Sequence, residues 1–404
     1  MTITSLEQDD LVKARAEVLA RVRALRAEMS ENGVRIDAEG TDVAKNMRLL
    51  GEAGVNRLSV PAEYGGLWSG GTWGGWRDTT EALMEISVAD GSTGMCWTNN
   101  GLHPRRLFTA DLPRETKEQL ADELINDGRR LVFSNSEAGA KGPVTGRRVP
   151  GGVVVSGTKT FNTNSGGGGR DLLIVGFAML GPDEDPKTAT RHEALVRLDA
   201  PGVRQAHDWD NMGQRGTHSQ TITYEDVFVP DGWHFASTLE DPNAFGAGML
   251  FHAALMQGIG EGAFAAAIGY LRSLNRGSMP MFPTALEDPL MHRQLGEMSS
   301  ELAAARAYLL SVAGWLEEPG ADPQTITIHG FRSKVASNRV SLDVTGRIHD
   351  LTGARSTAKR YRFDRFWRNA RTFSTHDSID AKNALIGAYE LSGEFPNVLD
   401  YFRV

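Results

Sequence analysis

Five stretches in the middle of the chain set its architecture: LVFS (Leu131–Ser134), GVVVSGTKTFN (Gly152–Asn162), DLLIVGFAML (Asp171–Leu180), EALVRL (Glu193–Leu198) and TITYEDVFV (Thr221–Val229). Each is short and rich in Val, Ile, Thr and Phe. Glycine, proline and aspartate separate them, as turns separate strands. Together they read as a compact antiparallel β domain. In Ser219–Pro230 the alternation is only partly apolar, so one face is expected to meet solvent. Gly166–Gly169 lacks the Lys-Ser/Thr of a phosphate loop and reads as a hairpin connection.

Both flanks change period. Upstream, Leu11, Ala14, Val18, Val22 and Leu25 recur at helical spacing, as do Val43, Met47, Leu50 and Ala53, and Thr79–Ala89 adds a further helix. Downstream, Met249–Leu274 is rich in Ala and Gly, and Glu297–Glu317 carries Leu302, Ala305, Leu309, Val312 and Leu316 on one face. Ile328–Leu351 and Ala381–Leu391 complete the helical part. Helices, then strands, then helices imply segregated layers, an α+β fold and not an alternating βαβ one. The expected domains are residues 1–126 (helical), 127–240 (β) and 241–404 (a helical bundle). GIGEG (Gly258–Gly262) lies inside a helical pattern and follows no strand, which excludes a dinucleotide loop.

With 404 residues, 40% hydrophobic and 23% charged, the chain reads as an ordinary globular protein. A net charge of -8 argues against a nucleic-acid partner. The single cysteine, Cys96, rules out an internal disulfide or a cysteine-based zinc cluster and fits a reducing cytoplasm. The N-terminal MTITSLEQDD lacks a signal-peptide pattern, and the apolar run near Leu172–Leu180 is too short to cross a bilayer, so no membrane partner is expected. No His-Glu-x-x-His or acidic-His cluster with ligand spacing stands out, so no metal is expected. The chemistry points to RNARTFSTHD (Arg368–Asp377), a basic, helix-compatible stretch ending in His376-Asp377. A neutral imidazole is the side chain best suited to exchange a proton near pH 7.

Three groups of segments resemble the acyl-CoA dehydrogenases. LSVPAEYGG (Leu58–Gly66) is similar to a helix-ending turn of that family. FSNSEAGA (Phe133–Ala140), GTKTFNTN (Gly157–Asn164) and Trp209–Pro230 resemble its flavin-covering strands and loops. NRGS (Asn275–Ser278), LTGARST (Leu351–Thr357) and DRFWRNART (Asp364–Thr372) resemble its C-terminal part. The resemblance implies an N-terminal helical domain, a middle antiparallel β domain and a C-terminal four-helix bundle. It implies that Ser136 bonds the pyrimidine edge of a flavin, that Thr163 contacts N5 and that Trp209 walls the ring or substrate. Ser134, Asn135 and Asn162 join that cofactor-binding set. Arg276 and Ser278 are implied to reach a flavin phosphate, often across a subunit interface, with Arg355 and Arg368 as further arginines whose planar fork suits phosphate.

The departures shift the implied activity. Where dehydrogenases read Tyr-Glu-Gly, this chain has His376-Asp377-Ser378. Flavin monooxygenases of this fold, those resembling dibenzothiophene and methanesulfinate monooxygenases, often read Arg-Thr-His-Thr-Leu-His-Asp. Here the run is Arg371-Thr372-Phe373-Ser374-Thr375-His376-Asp377, with Phe373 in place of the first histidine. The loop GAKG (Gly139–Gly142) also lacks a serine that lies near the flavin pyrophosphate and acyl-CoA in dehydrogenases. The resemblance therefore implies a two-component monooxygenase that oxygenates sulfur, nitrogen or aromatic carbon in a small substrate. It would use reduced FMN or FAD and O2, through a flavin C4a-(hydro)peroxide. With no nicotinamide-binding domain in view, a separate reductase would supply the flavin. His376, Thr163 and Asp377 are the implied catalytic residues, and Trp97, Asn99, Asn100, His103 and Phe373 the implied substrate pocket. A homotetramer is also implied. An FAD-dependent dehydrogenase with Asp377 as base, or a flavin-binding protein without turnover, are the alternatives.

Overall fold

The computed structural model describes residues 5–69, 75–137, 139, 142–169, 171–237, 242–318 and 320–401, without the side chains of 5–8, 242–245 and 399. Ala140 and Lys141 of the GAKG loop lie outside them. Helices α1 (Ser5–Ala24), α2 (Arg26–Glu39), α3 (Ala44–Glu52), α4 (Trp76–Ala89), α5 (Gly91–Thr109) and α6 (Arg114–Ile125) precede the strands. Their apolar stripes close one core: Val18, Val22, Met29, Leu50, Leu83 and Trp97 meet Leu250, Phe251 and Leu309 from the C-terminal part. Asp90 caps α5, its carboxylate accepting the Thr93 N–H at 2.8 Å. LSVPAEYGG is a turn: a Cβ at Gly66 would sit 1.8 Å from the Val60 carbonyl oxygen, so only glycine fits there.

The strands are β1 (Leu131–Ser134), β2 (Ser136–Glu137), β3 (Thr145–Val149), β4 (Gly152–Asn162), β5 (Leu172–Leu180), β6 (Arg191–Arg197), β7 (Val203–Gln205), β8 (Gln220–Pro230) and β9 (His234–Ala236). They form a sheet in the order β7-β8-β4-β3-β5-β6-β9, with β1 also on β5 and β2 on β4. Most pairings are antiparallel as expected, but β1 and β3 both run parallel to β5, so the sheet is mixed. β3 was not visible because TGRRV carries two arginines where a strand pattern wants apolar residues. The Gly166–Gly169 segment is no hairpin, because β4 and β5 are not neighbours. It crosses over the Arg130–Asp171 pair, and a Cβ on Gly167 would come within 2.6 Å of the Arg130 guanidinium. β5 is buried along nearly its whole length, which is why it reads as an unbroken apolar run.

After β9 come α7 (Pro242–Arg272), α8 (Pro289–Trp315), α9 (Pro323–Thr352), α10 (Asp364–Ser374) and α11 (Ile379–Ser392). α8 begins two turns before its apolar stripe, where Asp288 accepts the N–H groups of Leu290 and Met291 and Pro289 opens the first turn. The glycines of GIGEG let α7 approach other helices. A Cβ on Gly258 would lie 2.5 Å from the Met84 carbonyl oxygen, and one on Gly262 would lie 2.4 Å from that of Val88. Gly260 faces Ser341 of α9 in the same way. Among the described residues no helix is long and apolar enough to cross a membrane.

Candidate functional site

At the end of β4 the backbone is strained. Its pairing with β8 slips between Lys159 and Asn162, and Phe161 and Asn164 have φ of 54° and 79°. Facing them, His207, Gln214 and His218 have φ of 53°, 53° and 43°. Each such residue costs about 1–3 kcal/mol and persists only where the surroundings over-determine it. Phe161 and Asn164 flank one threonine, Thr163. The Thr163 hydroxyl lies 2.8 Å from that of Ser219, which lies 2.8 Å from that of Thr217, and Thr217 donates to the Gln214 carbonyl at 2.9 Å. Asn99 donates to the Thr163 carbonyl at 3.0 Å. Asn162 is spent on the backbone, donating to the Gln220 carbonyl at 2.8 Å.

Beside this hydroxyl chain the Phe161 ring stands 61% exposed, edge-to-face with Trp209 at 6.3 Å. Trp209 is fixed by its indole N–H on the Gln214 carbonyl at 3.0 Å. The Gln214 backbone N–H donates to Asn369 of α10 at 2.7 Å, which ties the loop to the bundle. Three buried oxygens around it, Asn162 Oδ1, Gln214 Oε1 and Thr372 Oγ1, have no protein partner. An exposed aromatic wall beside hydroxyls and orphaned oxygens fits a flat, polar-edged heteroaromatic group such as a flavin.

Other expected residues are spread more widely. The Ser134 hydroxyl points into the β core, 2.6 Å from that of Tyr224, whose phenol burial pushes up. Strand alternation turns Phe133 the other way, where it stacks on His103 at 4.2 Å. Burial first, and Arg106 second, keep the His103 imidazole neutral. Lys159 donates to the Asn135 carbonyl at 3.1 Å, and Ser136 is exposed. Asn100 staples α5 to β1, donating to the Arg129 carbonyl at 2.7 Å and accepting the Leu131 N–H at 3.0 Å. Trp97 is fully buried and donates to Asn56. Arg368 is committed to Asp37, Asp364 and the Met212 carbonyl. Arg276, Ser278 and Arg355 are exposed, and the Arg276 guanidinium comes within 3.4 Å of a Cβ placed on Gly353, two residues from Arg355.

RNARTFSTHD forms α10 and the turn after it. His376 is 47% exposed at the side chain, while Phe373 is buried beneath it with ring centroids 5.3 Å apart. Asp377 accepts from two buried lysines, Lys334 of α9 and Lys382 of α11, the latter at 2.8 Å. Burial would raise the Asp377 carboxyl. The contacts with His376 and Lys334 outweigh it and hold the group far below the usual carboxylate range. A carboxylate so held is a poor base, which removes the chemical ground for a dehydrogenase using Asp377. His252 of α7 completes the cluster. Its Nδ1 is 3.0 Å from Lys334 Nζ, and its ring is 5.1 Å from Phe373 and 4.9 Å from His376. An imidazole brought by a different helix thus packs against the Phe373 ring. Phe161, Ser219, His252 and Lys334 are the site residues that sequence reading passed over. A lone histidine in LFHAAL and a lone lysine in FRSKVAS carry no local signal. Two surface cavities, of about 290 and 490 Å³, are lined by none of these residues.

Residues 250–381 match the acyl-CoA dehydrogenase C-terminal domain family. Dibenzothiophene monooxygenase from Rhodococcus erythropolis is 31% identical, over 94% of each chain. A probable FMNH2-dependent monooxygenase, SfnC, from Pseudomonas putida is 28% identical over 94% of this chain and 95% of its own. The crystal structure of FMN-bound TdsC from Paenibacillus sp. A11-2 superposes with a TM-score of 0.86 at 25% identity, covering 95% of this chain and 100% of that one. The fold is that of the acyl-CoA dehydrogenases. The chain belongs to the flavin-dependent monooxygenases built on it.

Proposed function

We propose that this chain is the oxygenase of a two-component system, taking reduced FMN, or reduced FAD, from a separate reductase and O2 from solution to oxygenate a small organic substrate at sulfur, nitrogen or aromatic carbon. FMN is favoured by the FMNH2-dependent relative and the FMN-bound TdsC. Bound reduced flavin supplies the electrons that activate O2. The protein's part is to hold and shield. Thr163, fixed by Ser219 and Asn99, steadies the central ring nitrogen, Ser136 and Asn135 serve the polar edge, and Phe161 and Trp209 cover a face. Arg276, Ser278 and Arg355 hold the phosphate. Asn99, His103 and Phe373 line the substrate side and help exclude water. His376 moves the proton, since it is the exposed imidazole of the cluster and Asp377 beside it is immobilised.

The single observation that carries the reading is the setting of Thr163 between the strained Phe161 and Asn164, with its hydroxyl chained through Ser219 and Thr217 to the strained Gln214. A homotetramer is supported by exposed Met279, Met281, Leu286 and Leu290, close in sequence to Arg276. A cytoplasmic setting suits the reductase and the lone cysteine. The test is mass spectrometry of products made under labelled O2 with reduced FMN and a panel of sulfur, amine and aromatic compounds. One labelled oxygen in a product is expected, and hydrogen peroxide alone across the panel would sink the reading.

A further inference from the structure

Below His376 lies a second imidazole that the flavin reading does not use. His252 sits in the first half of α7, half-buried, with the rings of Phe373 and His376 packed edge-on against it. Its Nδ1 faces the Lys334 ammonium at 3.0 Å. Lys334 is fully buried, lies over the Phe373 ring at 5.5 Å and is ion-paired to Asp377. An ammonium can only donate. Nδ1 therefore accepts, and the one ring proton is on Nε2. Among the described residues Nε2 has no hydrogen-bond partner.

We propose that His252 is a second hydrogen-bond donor of the site, locked by Lys334 as the neutral Nε2–H ring and offering that N–H to the reacting oxygen that His376 serves. Lys334 is then a positioning residue. The charged groups facing His252 are Lys334 from α9, Lys382 from α11, and His376 and Asp377 from the turn after α10. Burial first, then Lys334 and His376, keep the ring from taking a second proton, while Asp377 opposes them weakly. The two imidazoles thus divide the work. His376 is half exposed. His252 keeps one charge state and one orientation, which suits a preorganised donor. His252, His376 and Asp377 also bring donor atoms within 4.8 Å of one another, close enough to share a cation. The Lys334 ammonium, bonded to two of these three residues, already supplies that charge.

The lock stands on these contacts alone, whereas donation to the reacting oxygen rests on the monooxygenase reading. Solid-state nitrogen NMR of the histidine-labelled full chain, without flavin, tests the lock. The His252 signals, assigned by their loss in His252→Gln, are expected at the neutral Nε2–H positions from about pH 5.5 to 7. In Lys334→Met they should become pH-dependent. A wild-type His252 that is an imidazolium at pH 6, or carries its proton on Nδ1, overturns the proposal, and the wild-type spectrum decides even if the lysine variant fails to fold. The donor role is read on the first compound that yields labelled product. His252→Leu should lower its formation about 100-fold, and His252→Gln, which keeps an N–H, should lower it less. Equal rates in wild type and His252→Leu overturn the donor role. Absence of product in the wild type would instead condemn the monooxygenase reading and leave the lock standing or falling on its spectrum.

Discussion

The ledge around Thr163 and the cluster under His376 hold their working atoms by opposite means. On the ledge the immediate contacts are neutral: hydroxyls, amides and backbone carbonyls, shaped by a strained backbone. Charge stands one step back, where the Arg130 guanidinium grips the Asn164 carbonyl at 3.0 Å and pairs with Asp42. In the cluster, charge touches the working groups directly. Two buried ammonium groups share one carboxylate, and one of them bonds an imidazole. The ledge is therefore a device of shape, and the cluster is a device of charge.

Several substitutions can break this contrast. The largest effect is expected from Asp377→Asn, which leaves two buried lysines without a counter-charge. Removing one partner of a buried pair costs about 3–5 kcal/mol, read from urea unfolding. An unchanged midpoint would mean that the cluster is not ionic. His376→Gln comes next. Loss of the proton-moving group should cut product formation about 100-fold while reduced FMN is still oxidised, so peroxide should replace product. Product at the wild-type rate would move the proton role elsewhere.

A smaller effect separates shape from stability on the ledge. Phe161→Gly removes a side chain held at φ 54° and should raise stability by about 1 kcal/mol, while weakening retention of FMN. Equilibrium unfolding and FMN titration of the same variant check both signs, and a loss of stability would show that the ring is a packing residue. The smallest effect is a pH slope. Burial lowers Lys334 from 10.5 to about 8, so between those values the unfolded chain holds the proton that the folded chain has released. The stability cost of Lys334 is full below pH 8 and shrinks as the pH rises. The urea midpoint of wild type relative to Lys334→Met should climb from pH 8 to 10, and parallel curves would refute the shift.

Much of the fold was legible because burial writes a period into the chain. β1, β4, β5 and β8 announce themselves in runs of Val, Ile and Thr, and α4, α8 and α9 in stripes at helical spacing. β3 escaped through its two arginines, and β2, β7 and β9 are two or three residues long and carry too few positions to show alternation. The mixed sheet escaped because parallel and antiparallel partners impose the same pattern on β5. At the site, Thr163, Trp209 and His376 could be singled out from the motifs around them. Ser134 belongs to the same motifs, yet strand alternation turns its hydroxyl inward to Tyr224.

The sequence by itself determined the order of layers, the flavin monooxygenase scaffold and the two stretches, GTKTFNTN and RNARTFSTHD, on which the chemistry rests. These are local or linear properties, carried by period and motif. Only the tertiary structure decided that Asp377 is neutralised by Lys334 and Lys382, and that His252 takes up a place beside His376. Those residues lie on α7, α9 and α11 and in the turn after α10. Their contacts depend on how closely the glycines of α7 let these helices pack, and no spacing along the chain encodes that distance.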